Sequence, residues 1–291
     1  MTFDEFREQC AALADRLPLG RFRRRPVVGV LRLDGVIGRA GPGRPGISFA
    51  GHERAIEKLF ATKRLTAVAL VVNSPGGAPV QSALIARRIR DLAAEKHVPV
   101  IAFCEDVAAS GGYWLACAGD EIYADANSIV GSIGVISASF GLNDLIERHG
   151  IERRVHATGP RKGMLDPFRE ENPDDVERLR DLQADIFETF KTYVKERRGD
   201  RLRASDEALF TGDIWTGSQA VDNGLIDGLA ELRGEMRRRY GDRVRFRTAE
   251  VRKSLLSRLR GGGVRAAGPA IDPGHIIAAL DDWALWKRYG L

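Results

Sequence analysis

The sequence predicts an α/β protein whose core is a largely parallel sheet with peripheral helices. Two runs of apolar residues, 67–73 and 98–104, are continuous rather than alternating, which is typical of strands buried on both faces. A stretch with helical periodicity, 80–96, lies between these runs. Alternation of buried strands with helices favours parallel pairing, because each helix returns the chain to the same end of the sheet.

The other elements follow from the same periodicities and from turn residues. We expect further strands at 27–33, 121–125, 132–138, 153–158 and 243–249. We expect further helices at 3–17, 52–62, 110–118, 141–149, 172–198, 205–210, 216–223, 227–239 and 273–289, and loops at 38–49 and 261–269. Asn172 is the expected N-cap of the longest helix, with Pro173 in its first turn.

The composition is that of a globular protein, with 44% hydrophobic and 29% charged residues among 291. The formal net charge of +5 arises from 45 basic and 40 acidic residues, and the excess is spread along the chain. Its densest point is Arg21 with Arg23–Arg25, which fits either a solvated linker or a patch that touches anionic lipid. No RNA- or DNA-binding motif accompanies this charge, so we expect no nucleic acid partner.

Cysteine usage and targeting signals bear on the compartment. The chain has three cysteines, Cys10, Cys104 and Cys117, an odd number whose spacing matches no metal-binding motif. This cysteine usage favours a reducing compartment. We interpret Cys104 and Cys117 as core residues. The N-terminus lacks the basic start and apolar stretch of a signal peptide, and the longest apolar run, 65–72, is too short to span a bilayer. We therefore expect a cytoplasmic protein, with amphipathic ends that pack on the core or dock peripherally at the inner face of the membrane.

Three glycine-rich turns each follow an expected strand at the same end of the sheet. They are Asn73–Gly77, Ala109–Tyr113 and Gly131–Gly134. Ligands of parallel sheets bind at the carboxyl ends of the strands, and glycines there leave N–H groups able to face an oxyanion. These turns are therefore the first candidates for a functional site.

Ser110 lies between a buried strand and a helix rich in small residues. Its hydroxyl can act as a nucleophile at such a junction, with the N–H of Gly111 as an adjacent oxyanion donor. The segment alone is explained equally well by a serine that caps the following helix.

A nucleophilic serine needs a base. None of the five histidines lies in a motif typical of a catalytic triad; they are His52, His97, His149, His156 and His275. A lysine is the other option, since burial and positive neighbours can make a lysine side chain neutral near pH 7. Lys162 lies in a turn-rich, partly apolar loop, although by itself that segment is typical of a solvated surface lysine.

Four motifs in a fixed order resolve these alternatives. They are NSPGG at 73–77, DVAASGGY at 106–113, GSIGVI at 131–136 and GPRKGMLDP at 159–167. Together they resemble signal peptide peptidase A and its bacterial relatives, a family of serine/lysine peptidases, over roughly residues 27–230.

The resemblance implies a ββα spiral of the Clp-protease/crotonase type. It implies Ser110 as the nucleophile, Lys162 as the general base and Ser132 as the residue that holds the lysine. It assigns one oxyanion N–H to Gly111 and the other to Gly76 or Gly77. It also implies a homo-oligomeric ring, in which the lysine can come from a neighbouring subunit.

These inferences divide the chain into an N-terminal helix and basic linker at 1–26, a peptidase domain at 27–240 and a C-terminal extension at 241–291.

The expected function is a serine endopeptidase that acts on signal peptide remnants or other unfolded apolar peptides, with no metal or organic cofactor. Two alternatives remain. One is a crotonase-like acyl-CoA enzyme that uses Asp106 or Asp120 as acid or base, and the other is a non-catalytic ring scaffold.

Overall fold

The computed structural model describes residues 25–38, 46–159, 161–249, 280 and 283–290. The strands are β1 (Val27–Asp34), β2 (Leu65–Ser74), β3 (Val100–Ala109), β4 (Glu121–Ala124), β5 (Ile129–Gly131), β6 (Ile214–Thr216), β7 (Gly228–Leu229) and β8 (Arg245–Thr248). The helices are α1 (Phe49–Phe60), α2 (Pro79–Lys96), α3 (Gly111–Ala116), α4 (Asn143–Arg148), α5 (Pro173–Arg198), α6 (Asp206–Leu209), α7 (Gly217–Asp222) and α8 (Leu232–Tyr240), with a 3₁₀ turn at Gly199–Arg201.

The described strands form one sheet with the order β6-β5-β3-β2-β1-β8, and β4 pairs with both β3 and β7. The pairings are parallel except that between β5 and β6. β2 lies near the centre of the sheet because residues 67–72 are apolar on both faces, and all six are buried. The predicted α/β class with a largely parallel sheet is confirmed.

Strand β3 bends in its middle, and the two sides of the bend pair with different strands. Its first half, Ile101–Cys104, pairs with β4, and its last three residues pair with β5. The register against β2 shifts in the same region, where Val72 lies opposite Cys104 but Ser74 lies opposite Ala108. The bend carries the end of β3, and hence residue 110, to the turn that follows β2.

Most predicted elements exist, with shifted ends, but three are wrong. Residues 153–158 form no strand, and β5 ends at Gly131, before the strand that we expected at 132–138. The helix expected at 227–239 is a short strand followed by α8. The prediction of Asn172 as an N-cap is confirmed, since its side chain accepts a hydrogen bond from the N–H of Asp174.

Several expectations lie outside the described residues. They concern the helix at 3–17, most of the loop at 38–49, the loop at 261–269 and most of the helix at 273–289. The strand of the C-terminal extension is described, and it pairs in parallel with β1. Among the described helices, none combines the length and the apolar character needed to cross a bilayer.

Candidate active site

Ser110 stands alone between β3 and α3, in a backbone conformation that is rare for a residue with a side chain. Its φ is 52° and its ψ is −122°. The N–H of Ser110 donates to the carbonyl oxygen of Gly131 at 2.7 Å, which holds the serine against β5. Ser110 occupies the N-cap position of α3, but its side chain makes no capping hydrogen bond. The hydroxyl is therefore not used in capping, and this weakens the structural explanation of the serine.

The turn after β2 packs directly on this serine. A Cβ atom added to Gly76 would lie 2.8 Å from the Cβ of Ser110 and 3.0 Å from the amide nitrogen of Gly111. A Cβ atom at Gly77 would lie 2.1 Å from the carbonyl oxygen of Ile37, and both glycines have positive φ. Only glycine fits at these two positions, because a side chain there would collide with backbone as well as strain the turn.

The same packing distinguishes between the two glycines as oxyanion donors. The N–H of Gly76 donates to the hydroxyl of Ser74 at 3.2 Å. The amide nitrogen of Gly77 lies 3.4 Å from the point where a Cβ of Gly111 would stand. Within the described chain, neither the Gly77 nor the Gly111 N–H donates to another group. The geometry therefore favours the pair Gly77 and Gly111 over any pair that includes Gly76.

Ser132 follows β5 and faces the same cavity as Ser110. Its φ is also 52°, and its N–H donates to the carbonyl oxygen of Asp213 at 2.7 Å. The cavity has a volume of about 680 Å³, and Gly77, Ser110, Gly111 and Ser132 all line it. The structure thus brings together the predicted serines and the predicted oxyanion donors.

An apolar wall of this cavity was not predicted from the sequence. Ile186 and Phe190 of α5 line it together with Trp114 of α3. The ring of Trp114 stacks on those of Phe190 and Tyr193, with centroids 4.8 and 5.1 Å apart. The amphipathic pattern of α5 indicated a buried face, but no local signal showed which part of the fold that face would meet.

Lys162 is placed differently from the serines. It lies in the turn at 161–165, where its side chain is exposed and its N–H donates to the carbonyl oxygen of Gly159 at 3.2 Å. It is not among the described residues that line the Ser110 cavity. The structure of one chain therefore does not bring Lys162 into the cavity that Ser110 lines.

The other titratable candidates have structural roles or lie elsewhere. Asp120 accepts hydrogen bonds from Arg90 at 2.7 Å, from the N–H of Val100 at 2.9 Å and from Arg197 at 3.3 Å, while Asp106 is exposed. Burial lowers the pKa of His52, whose Nδ1 lies 3.0 Å from the carbonyl oxygen of Ser48.

The remaining histidines and the cysteines also lie away from the serine. No described histidine lines the Ser110 cavity, and His275 lies outside the described residues. Cys104 and Cys117 are buried as expected, and burial raises the pKa of the Cys117 thiol to about 11. In the described part of the chain, no cluster of three His, Cys, Asp or Glu side chains could hold a metal ion.

Comparison with known proteins gives the family. The sequence model of Peptidase family S49 matches residues 93–238, half of the chain, and this stretch includes Ser110, Ser132 and Lys162. The Synechocystis protein named "Putative protease slr0021" is 32% identical over 224 residues, which cover 73% of this chain and 79% of that protein. The chain belongs to Peptidase family S49, and the resemblance to signal peptide peptidase A-like proteins is confirmed.

Two further relatives are much longer than this chain. The Brucella abortus protein named Na(+)/H(+) antiporter NhaA is 48% identical over 289 residues, which cover 96% of this chain but 39% of that protein. The chloroplastic serine protease SPPA of Arabidopsis thaliana is 34% identical over 226 residues, which cover 74% of this chain and 32% of that protein. The chain thus spans less than half of either relative.

One solved structure shows a more distant likeness. It is an alanine mutant of the 1510-N membrane-bound stomatin-specific protease, with 16% sequence identity and a TM-score of 0.47. The superposition covers 78% of this chain and 98% of that chain.

Proposed function

We propose that this protein is a serine endopeptidase in which Ser110 is the nucleophile and Lys162 the general base. The observation that carries the proposal is the conformation of Ser110, whose hydroxyl is left out of helix capping beside the amides of Gly77 and Gly111. Strained backbone of this kind costs about 1–3 kcal/mol and is kept where the surrounding structure imposes it, often at active sites. Membership of Peptidase family S49 supports the same chemistry.

The proposed reaction is an acyl transfer to serine followed by hydrolysis. Lys162 in its neutral form takes the proton of the Ser110 hydroxyl while the serine oxygen attacks the peptide carbonyl carbon. The negative oxygen that forms accepts hydrogen bonds from the Gly77 and Gly111 N–H groups, and loss of one such donor typically costs about 10²–10³ in rate. The protonated lysine gives its proton to the leaving amine, and water then releases the acyl group.

We propose that the lysine reaches the serine from a neighbouring subunit of a homo-oligomeric ring. The exposed position of Lys162, outside the cavity of its own Ser110, supports this arrangement. In a cyclic assembly with head-to-tail contacts, each subunit would present its lysine loop to the serine of the next.

The apolar wall of the cavity supports a substrate class. Trp114, Ile186 and Phe190 offer a surface that suits apolar side chains of an extended or unfolded peptide. Remnants of signal peptides would meet this requirement, as would other unfolded apolar segments.

Cleavage of an unfolded apolar peptide, measured with variants, tests the dyad. Ser110→Ala and Lys162→Ala should each lower kcat by about 10³-fold or more while the proteins stay folded by circular dichroism. A fluorophosphonate probe should label wild-type Ser110.

Mixing the two inactive variants tests the ring. If each site combines the serine of one subunit with the lysine of the next, an equimolar random mixture should regain about a quarter of the wild-type activity. Within one chain neither variant has a complete dyad, so a mixture that stays inactive after subunit exchange would contradict completion across subunits.

Separate experiments test the two alternative functions and the location. The hydrogen bonds that Asp120 makes to arginines leave it poorly suited as the acid or base of an acyl-CoA enzyme, and coenzyme A binding by calorimetry would test that alternative. A ring scaffold without chemistry would fail to label with the probe. We place the protein in the cytoplasm, with peripheral membrane contact through its basic linker, and sedimentation with anionic liposomes would test the contact.

A further inference from the structure

Asp166 has a nearly buried carboxylate, although Lys162, four residues earlier, is exposed. The side chain of Asp166 is 7% exposed, whereas those of Arg153 and Arg169 beside it are 41% and 53% exposed. Removing a carboxylate from water is costly unless the charge is paired and hydrogen-bonded. The burial of this one acid, directly after the turn at 161–165, therefore needs a physical reason.

The contacts of Asp166 join two parts of the chain. Its Oδ2 accepts a hydrogen bond from Nε of Arg153 at 2.9 Å, and its Oδ1 accepts one from the N–H of Phe168 at 3.1 Å. The guanidinium group of Arg153 also lies over the ring of Phe168, 4.8 Å from the centroid. The hydrogen bond from Arg153 lowers the pKa of Asp166, so the carboxylate is charged at neutral pH. Asp166 thus ties the end of the lysine turn to the segment around residue 153.

The turn itself has weak internal support. Leu165, the residue before Asp166, has a φ of 56°, which is rare for a residue with a side chain. Two backbone hydrogen bonds within residues 159–164 are both 3.2 Å long, at the upper end of the usual range. Strained backbone persists only where its surroundings hold it, and the contacts of Asp166 follow the strained residue directly.

We propose that Asp166 is a positioning residue for Lys162. By pairing with Arg153 and binding the N–H of Phe168, it fixes the turn so that the lysine amine is presented at one point. The inference rests on the proposed role of Lys162 as the general base. It applies whether the lysine serves its own chain or a neighbouring subunit, because an ordered turn must deliver the amine in both cases. Misplacement of a catalytic group by about 1 Å can cost about 10²-fold in rate.

Steady-state cleavage of an apolar fluorogenic peptide by full-length variants tests the proposal. Asp166→Asn removes the charge that pairs with Arg153 but keeps an oxygen for the N–H of Phe168. It should lower kcat about 10-fold to 100-fold with KM within about twofold, since the cavity that binds the peptide is unchanged. Glu152→Gln is the matched control. It removes the adjacent ion pair with Arg154, whose side chains are 69% and 73% exposed, and should leave kcat within about twofold of wild type.

A double-variant cycle tests whether Asp166 acts through Arg153. Arg153→Ala should reproduce the loss of kcat in Asp166→Asn, and Arg153→Ala/Asp166→Asn should lose no more than either single variant, because both changes remove the same ion pair. Losses that multiply in the double variant would show two independent effects and would overturn the proposal.

Limited digestion with trypsin gives a second measurement that needs no turnover. Cleavage after Arg161 or Lys162 in the folded protein requires the turn to open locally. Followed by mass spectrometry, it should be at least about threefold faster in Asp166→Asn than in wild type or Glu152→Gln. Equal rates in all three proteins would contradict the inference even if no peptide is cleaved.

Faster digestion with an unchanged kcat would contradict it as well, since the turn would then be held without a catalytic purpose. Failure of the proposed function is recognised separately, by Lys162→Ala that keeps its rate.

Discussion

At the scale of single residues, two strained serines define the site. Ser110 and Ser132 both have a φ of 52°, which costs an L-residue about 1–3 kcal/mol unless its surroundings hold it. Each serine N–H donates a 2.7 Å hydrogen bond to a carbonyl of another segment, that of Gly131 for Ser110 and that of Asp213 for Ser132. These bonds join β3, β5 and the segment before β6, so that both serines are fixed at one cavity.

We expect the hydroxyl of Ser132, rather than its backbone strain, to matter for catalysis. Ser132→Ala removes the hydroxyl and keeps the strain, whereas Ser132→Gly removes both. If the hydroxyl positions the lysine, both variants should lose about 10- to 100-fold in kcat with little change in KM, because small misplacement of a catalytic group is costly. Ser132→Gly should also melt no lower than Ser132→Ala, since glycine relieves the positive φ.

Steady-state kinetics and thermal melting of the two variants provide the check. Retention of kcat in Ser132→Ala together with its loss in Ser132→Gly would assign the effect to the backbone strain and would contradict a role for the hydroxyl.

At the scale of elements, helix α5 connects the site to the rest of the fold. Its middle forms the apolar wall of the cavity, and its last residue, Arg198, is buried with a side-chain exposure of 1%. Arg198 donates to Asp227 at 2.7 Å and to the carbonyl oxygen of Gly224 at 2.9 Å. Asp227 in turn accepts from the N–H of Ile122 at the start of β4. The end of α5 is thus anchored to β4 and to the chain before β7.

Arg198→Ala should lower the free energy of unfolding by about 3 kcal/mol, because it removes the short ion pair of the largely buried Asp227 carboxylate and leaves only the longer contact with Arg201 at 3.4 Å. Arg178→Ala in the same helix is the matched control. Its partner Asp181 is 3.8 Å away, and both side chains are about half exposed, so its loss should cost less than about 1 kcal/mol. Urea denaturation measures the free energy of unfolding of both variants. Equal midpoints for Arg198→Ala and Arg178→Ala would show that the buried pair does not anchor α5.

The strands also show which elements can be predicted from the local sequence pattern and which cannot. Residues 67–72 are apolar on both faces, a pattern that favours a central strand, so β2 could be predicted. Residues 153–158 have strand propensity, but in the structure they are largely exposed and pair with no described strand. A strand needs a partner with matching register, and nothing in the local sequence indicates whether one is present.

The same reasoning applies to the site. The position of Ser110 between a strand and a helix, beside two glycines, could be predicted because this turn is contiguous in the sequence, and its catalytic role stays a prediction. The choice of Gly77 over Gly76 could not, since it depends on the side chain of Ser74. Leu285 and Tyr289, which also line the cavity, lie far along the chain from the motifs, and only tertiary packing brings them there.

At the scale of the whole molecule, one exposed apolar region stands out between the two predicted members of the dyad. Ile136, Phe140, Leu145 and Ile151 have exposures of 64%, 70%, 53% and 58%. Helix α4, within this region, has no buried residue. Large apolar side chains exposed along one short segment are candidates for an interface between proteins, and this segment leads along the chain to the turn that carries Lys162.

We expect this region to form the contact between subunits of the ring. Phe140→Asp/Ile151→Asp should break the assembly, because a buried Phe or Ile side chain contributes about 1.5–3 kcal/mol and the new charges would be unpaired. Leu229→Asp is the control, since Leu229 is 49% exposed and lies in β7, outside the region. Light scattering coupled to size exclusion should give the wild-type mass for the control and a smaller mass for the double variant.

Activity should follow the assembly if the dyad is completed between subunits. Cleavage by Phe140→Asp/Ile151→Asp should fall about 10-fold or more at low protein concentration and recover partly at high concentration, as mass action restores the contact. A monomer that cleaves peptide at the wild-type rate would show that Lys162 reaches Ser110 within one chain, and the exposed turn at 161–165 would then have to fold back on the cavity when substrate binds.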